Sequence, residues 1–186
     1  MNALGYSAER FARMLGLYTG LYPVKHQALI THRLPNLGKD GNILDMLIDR
    51  RKRNDFSAVY GQQFAETGQI IACASPAVDA KAEISNFDEL KFNTRRFMEI
   101  ISEVFCDWIP SLATVPVQAT WSGYYVEPRY MIDPDNGLFV GLQGHGFMLA
   151  QYLAKLYVDK ALGRTVPDYM ERLRLDGDGI SEKAFK

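Results

Sequence analysis

Residues 138–147 read Leu138-Phe139-Val140-Gly141-Leu142-Gln143-Gly144-His145-Gly146-Phe147. A short apolar run meets three glycines, and an amphipathic helical pattern follows to about Leu162. Strand, glycine turn and helix in this order place backbone N–H groups and a helix N-terminus against an anionic or electron-rich ligand. The glycines permit positive φ and close backbone approach. The amides of Gly146 and Phe147 fall at the helix start, where partial positive charge collects. A tight turn with no ligand would use the same glycines, so both readings stand on the bare pattern. The loop is not a Walker A motif, because no Lys-Ser/Thr follows it. It is not the dinucleotide fingerprint either. Its spacing is G-x-x-G-x-G, and no acidic residue follows at ribose distance.

The rest of the chain alternates less regularly. A first helix is expected from an N-cap at Ser7 to about Leu15, with Phe11, Met14 and Leu15 on one face and Gly16 ending it. Residues 22–24 and 27–31 are rich in β-formers. Residues 35–42 form a loop by composition. Residues 57–63 and 69–74, separated by Glu66-Thr67-Gly68, predict a hairpin with a glycine turn. A strand at 44–48 would extend the same sheet. Ser85-Asn86-Phe87-Asp88 has capping-box character and predicts the opening of a long helix to Trp108. Phe97, Met98, Ile101, Val104, Phe105 and Trp108 form its apolar stripe, and Pro110 stops it. Val115 to Tyr125 predicts another strand, 133–137 a turn, and 167–173 a short helix. Together these give an α+β fold: a mixed, largely antiparallel sheet covered by helices, with a strand-and-helix piece of an α/β layer at the chain ends.

Bulk properties exclude several classes. The 186 residues are 47% hydrophobic and 23% charged, enough to bury a core. A net charge of −1 leaves no electrostatic case for nucleic acid or an anionic membrane. The run Arg50-Arg51-Lys52-Arg53, flanked by Asp49 and Asp55, is expected to be a solvated turn. No apolar run approaches the roughly 20 residues that span a bilayer. No signal peptide opens the chain, and a cytoplasmic location is expected. Cys73 and Cys106 are expected as free thiols, with a bridge between them left open. His26, His32 and His145 have no metal-ligand spacing, and no metal is expected.

The wording Val140-Gly141-Leu142-Gln143-Gly144-His145-Gly146-Phe147 resembles the G-x-x-G-H-G-F motif of the FAD-dependent amine and amino-acid oxidoreductases. That family includes D-amino-acid oxidase, glycine oxidase, monomeric sarcosine oxidase and dye-linked proline dehydrogenase. Other pieces agree in order. Asn2-Ala3-Leu4-Gly5 resembles the N-A-x-G end of a flavin-domain strand. Tyr22-Pro23-Val24-Lys25-His26-Gln27 resembles the P-V-x-x-Q strand entering the substrate domain. Gly68-Gln69-Ile70-Ile71 resembles G-x-I-I-G, and Trp121-Ser122-Gly123-Tyr124-Tyr125 resembles W-A-G-x-Y.

The resemblance implies oxidation of a small-molecule amine or amino acid by hydride transfer to FAD. Gly5, Gly144, His145, Gly146, Phe147 and Met148 would contact the cofactor, with Trp121 and Tyr124 as candidate walls. Arg129, Tyr60 and Tyr130 are candidates for a substrate carboxylate, since Arg pairs bidentately and Tyr donates once. No catalytic side chain is singled out. Residues 1–20 and 126–186 would belong to the FAD-binding domain and 21–125 to the substrate-binding domain.

Three departures stand beside this resemblance. Met148 stands where sarcosine oxidase has a substrate-binding lysine. The flavin-tethering cysteine of that enzyme aligns near Gly123, so the flavin is expected to be non-covalent. The family's strand, G-x-G-x-x-G and helix for the FAD pyrophosphate do not occur in these residues. The chain is therefore expected to resemble the C-terminal half of such an enzyme and to be inactive alone. The missing half would come from a longer chain or a partner subunit. Competing expectations are a non-catalytic interaction domain, self-associating through an exposed apolar face, and a small anion-binding α+β enzyme.

Overall fold

The computed structural model describes residues 4–34, 36–37, 43–51, 53–76, 93–127, 129–133, 138–140, 142–173 and 180–181. The chain divides into two compact units, Met1–Val24 with Tyr124–Lys186, and Lys25–Gly123. The architecture is α+β, built, among the described residues, on antiparallel strands and three α-helices.

The main sheet contains β1 (Tyr22–Thr31), β2 (Leu47–Asp49), β3 (Phe56–Gln63), β4 (Ile70–Pro76) and β5 (Val117–Glu127) in the order β2-β3-β4-β1-β5. The two apolar runs expected at 22–24 and 27–31 are one continuous strand. β3 and β4 form the expected hairpin. Phe64 N donates to Gln69 O and Gly68 N donates to Phe64 O, both at 2.8 Å. Gly68 adopts φ +70°, where a side chain is strained. Buried Gln63 ties neighbouring segments to this hairpin. Its Nε2 donates to Leu37 O at 2.8 Å and Gly68 O at 3.1 Å, and its Oε1 accepts from Leu44 N at 3.0 Å.

One face of this sheet carries α2 (Arg95–Trp108). Phe97, Ile100, Ile101, Val104 and Phe105 close onto Leu29, Phe56, Val59, Ile70, Ala72 and Ala74. The expected capping box at 85–88 lies outside the described residues. The helix opens at Arg95, where the Thr94 hydroxyl accepts from Phe97 N at 3.1 Å. Thr94 is itself held by Gln27, whose Oε1 accepts from Thr94 N at 2.6 Å. Cys73 and Cys106 are both free thiols.

The basic run is not a solvated turn throughout. Asp49 is buried and pairs with Arg53, whose side chain is only 10% exposed, at 2.9 Å. Arg51 pairs with Asp49 at 2.6 Å and reaches Asp107 on α2 at 3.3 Å. β2 turns Asp49 toward α2, and a carboxylate there needs cations beside it. The Arg51 guanidinium, aided by Arg53, holds the Asp49 carboxyl well below its ordinary value of 3.8. A depressed folded pKa contributes stability that is present above the ordinary value and lost as pH falls through the folded one. Acid titration of folding, followed by tryptophan fluorescence, should therefore show Asp49→Asn losing less stability below about pH 4 than the parent chain. Parallel acid profiles for the two proteins would refute this.

In the other unit, a 3-10 turn at Gly5–Ser7 leads into α1 (Ala8–Met14). Ser7 occupies the N-cap position without a side-chain cap bond. The buried face is Ala8 and Ala12. Met14 and Leu15, expected inside, are 77% and 58% exposed. Glu9 anchors the following turn by accepting from Thr19 N at 3.1 Å and from the Thr19 hydroxyl. β6 (Arg129–Asp133), β7 (Leu138–Val140) and β8 (Ile180–Ser181) form a small sheet in the order β7-β6-β8, antiparallel at both pairings. The strand of the glycine motif thus enters an antiparallel sheet. α3 (Gly146–Ala161) follows, and Gly163 at φ +68° ends it. Leu153 and Leu156 of α3 pack with Met170 from a 3-10 segment at Asp168–Leu173, where a helix was expected. The expected turn at 134–137 lies outside the described residues. Among the described residues no helix is long and apolar enough to cross a membrane.

Candidate functional site

The glycine loop is a compact turn. His145 N donates to Leu142 O at 2.9 Å, closing a 3-10 turn at Gln143–His145 that runs directly into α3. The side chain of His145, at the N-cap position of α3, makes no cap bond, and no acidic residue stands in the first turn. The start of α3 carries the partial positive charge of a helix N-terminus. Phe147 is 98% exposed and Met148 67%. A wholly exposed aromatic on the opening turn of a helix offers a flat apolar contact beside that N-terminus.

Gly144 has a second, tertiary role. A Cβ there would stand 2.5 Å from Tyr125 Cε2 and 3.0 Å from Tyr125 Cζ, so the Tyr125 ring rests on the loop backbone only because residue 144 is glycine. Tyr124, on the opposite side of β5, meets Tyr6 with ring centroids 5.4 Å apart. Strand alternation thus sends one tyrosine to the N-terminal turn and the next to the glycine loop. The sequence reading missed Tyr125. Two consecutive aromatics on a strand were the available signal. Gly5 opens the N-terminal turn at φ +54°, a conformation that favours glycine.

Apart from Gly5 and the β5 aromatics, the sequence-derived residues fall into three places. Gly144, His145, Gly146, Phe147 and Met148 come together at the start of α3. The backbones of Arg129 and Tyr130 lie on β6, paired with Ser181 and Ile180, while their side chains lie outside the described residues. Tyr60 sits on β3, opposite Ile48 and Cys73. Burial pushes the Cys73 thiol up to about 11, with a Tyr60 hydrogen bond acting against that rise. Burial also pulls the His26 imidazole on β1 down to about 4, so it is neutral near pH 7. Trp121, on β5, is 41% exposed.

The α3 start can therefore meet the electron-rich edge of a planar ring with amides and an aromatic, and the glycine at 144 lets the loop fold back under Tyr125.

"FAD-dependent oxidoreductase domain-containing protein 1" of Xenopus laevis is 26% identical over 183 residues, covering 86% of this chain and 34% of that protein. Among solved structures, L-proline dehydrogenase from P. horikoshii matches with a TM-score of 0.65 at 24% identity, over 93% of this chain and 45% of that one. Glycine oxidase from Bacillus cereus matches with a TM-score of 0.63 at 17% identity, over 91% of this chain and 44% of that one. The two structural likenesses establish the fold alone. The chain spans about a third of the amphibian protein, 34%, and under half of the two enzymes, 45% and 44%. A family model described as "FAD dependent oxidoreductase" matches residues 1–160. The chain belongs to this FAD dependent oxidoreductase family.

Proposed function

We propose that these residues form the ring-edge and substrate-facing portion of an FAD-dependent enzyme that oxidises an amine or amino acid. The observation that carries this is the turn running into the start of α3, with Gly144 under Tyr125 and Phe147 almost fully exposed. Bound FAD supplies a two-electron acceptor. Residues 144–148 would hold its ring edge, and Gly5 would line the same unit's other turn. The loop amides and the α3 N-terminus would stabilise negative charge at that edge, since preorganised donors lose nothing to reorganisation. Tyr60, Arg129 and Tyr130 are the candidates for orienting the substrate carboxylate. Residues 21–125 would be the substrate-binding domain, and residues 1–20 and 126–186 part of the FAD-binding domain. The two free thiols support a reducing, cytoplasmic setting.

The diphosphate of FAD is assigned to residues outside these 186, because no G-x-G-x-x-G occurs among them. The 186 residues alone are then inactive. The test titrates FAD against the purified chain, followed by flavin absorbance and fluorescence polarisation. The expected result is no stoichiometric complex with the chain alone, and capture of FAD once a dinucleotide-binding half of a glycine-oxidase-like enzyme is added. Tight FAD binding with amine-dependent bleaching by the chain alone would overturn the division of labour. No capture in either case would favour a non-catalytic binding domain.

A further inference from the structure

The end of β5 makes a close contact on each of its two sides. Tyr124 and Val126 share one side by alternation, and both meet the N-terminal segment. Tyr124 faces the Tyr6 ring, and Val126 is buried with Ala8 and Leu21. Tyr125 points the other way, onto Gly144, within the same compact unit. The far end of its ring makes that contact. A Cβ at residue 144 would stand 2.5 Å from Cε2, 3.0 Å from Cζ and 3.1 Å from the hydroxyl oxygen. Gly144 is nevertheless exposed, so its backbone has the ring on one side and an open approach on another. The bond from His145 N to Leu142 O closes the turn on itself and fixes its shape. Leu142 packs with Leu153, Leu156 and Met170, which ties the entrance of the turn to α3. The Tyr125 ring ties its middle to β5.

We infer that Tyr125 is a positioning residue for the flavin: through Gly144, its ring sets where the amides of residues 145–147 stand. The inference rests on the flavoenzyme reading above and adds to it a residue that acts through the loop. Preorganised donors stabilise developing charge only when held within about 0.5 Å of the productive position. A misplacement of about 1 Å can cost two orders of magnitude. Residues 125 and 144 are a matched pair. The strand supplies a long, flat, stiff side chain, and the loop supplies none, because any side chain at 144 would take the space that the ring fills. An aliphatic residue at 125 would be too short to reach the loop, whereas phenylalanine would keep both carbons that lie nearest to it.

Amide hydrogen exchange on the purified chain, with FAD capture by the reconstituted halves, tests this. Tyr125→Phe should leave the exchange rate of the His145 amide, and FAD capture, within about twofold of the parent. Tyr125→Ala should speed His145 exchange and weaken capture, each at least tenfold. The α2 amides of Ile101 and Val104 should keep their rates, as the check on folding. The flavin that Tyr125→Ala still captures should have a more negative potential, because the donors that favour its reduced form have moved. Gly144→Ala should also weaken capture, by driving the ring off the loop. Gly144→Ala combined with Tyr125→Ala should capture FAD better than Gly144→Ala alone, because the added methyl enters the space that the ring has left. A tyrosine that only stabilised the fold would make the two losses add. Should Tyr125→Ala fail to fold, Tyr125→Leu takes its place with the same expectations. Unchanged His145 exchange in Tyr125→Ala overturns the proposal. So does a loss in Tyr125→Phe equal to that in Tyr125→Ala, or a double variant whose losses add. Failure of the flavoenzyme reading would appear separately, as no FAD capture by the parent halves, and His145 exchange in the free chain would still decide whether Tyr125 holds the loop.

Discussion

Gly61→Val should destabilise the unit spanning residues 25–123 by about 3 kcal/mol, at the upper end of overpacking costs. Gly61 lies on β3 beneath α2. A Cβ at this position would stand 2.3 Å from Phe105 Cζ and 2.8 Å from Ile71 O. Neither neighbour can move cheaply. Ile71 belongs to a central strand with partners on both sides, and Phe105 is 5% exposed inside the main core. The sheet and helix would have to separate, opening gaps around Phe97 and Val104, which are fully buried. Urea unfolding gives the measurement. Because the clash is chiefly with one ring, Gly61→Ala combined with Phe105→Ala should cost less than the sum of the two single changes, a coupling expected only for groups in contact. A Gly61→Val midpoint equal to the parent's would show that residue 61 has room, contrary to the packing described.

Gly144→Val should weaken FAD capture by the reconstituted halves at least tenfold, about 1.4 kcal/mol or more. A side chain here collides with the Tyr125 ring, so either the loop lifts or the tyrosine leaves. Both displace the amides that precede α3. Gly146 is the internal control. Its Cβ position has nothing closer than Leu142 Cβ at 3.7 Å, and its backbone is ordinary right-handed helix at φ −54°. Gly146→Ala should therefore leave FAD capture within about twofold, since that is a difference of only about 0.4 kcal/mol. Equal losses from both substitutions would mean that the loop responds to side-chain bulk in general, not to the Tyr125 contact.

Much of the fold is visible in the sequence where the signals are local. The β3–β4 hairpin follows from two β-rich runs around Gly68, and the buried face of α2 from the three- and four-residue spacing between Phe97 and Phe105. Interactions between distant residues are not visible. The start of α2 depends on Thr94 held by Gln27, 67 residues earlier, and no capping-box pattern marks it. The Arg50–Arg53 run looked solvated because sequence adjacency says nothing of β2 turning Asp49 inward. α1 looked like a Met-Leu face, yet two alanines make its close contact. The candidate site divides in the same way. The motif around His145 is legible as a resemblance, because it is contiguous. The contact that explains Gly144 comes from Tyr125 on another strand.

The Gln63 amide has a consequence for how this unit comes apart. One side chain holds the carbonyl of Leu37, the carbonyl of Gly68 and the amide of Leu44. Opening any one of these segments alone would strand a polar group in a buried place, at a cost of about 1–3 kcal/mol. Local fraying is therefore discouraged, and the three segments open together or not at all. A single glutamine thus converts turns that are remote in sequence into one cooperative element.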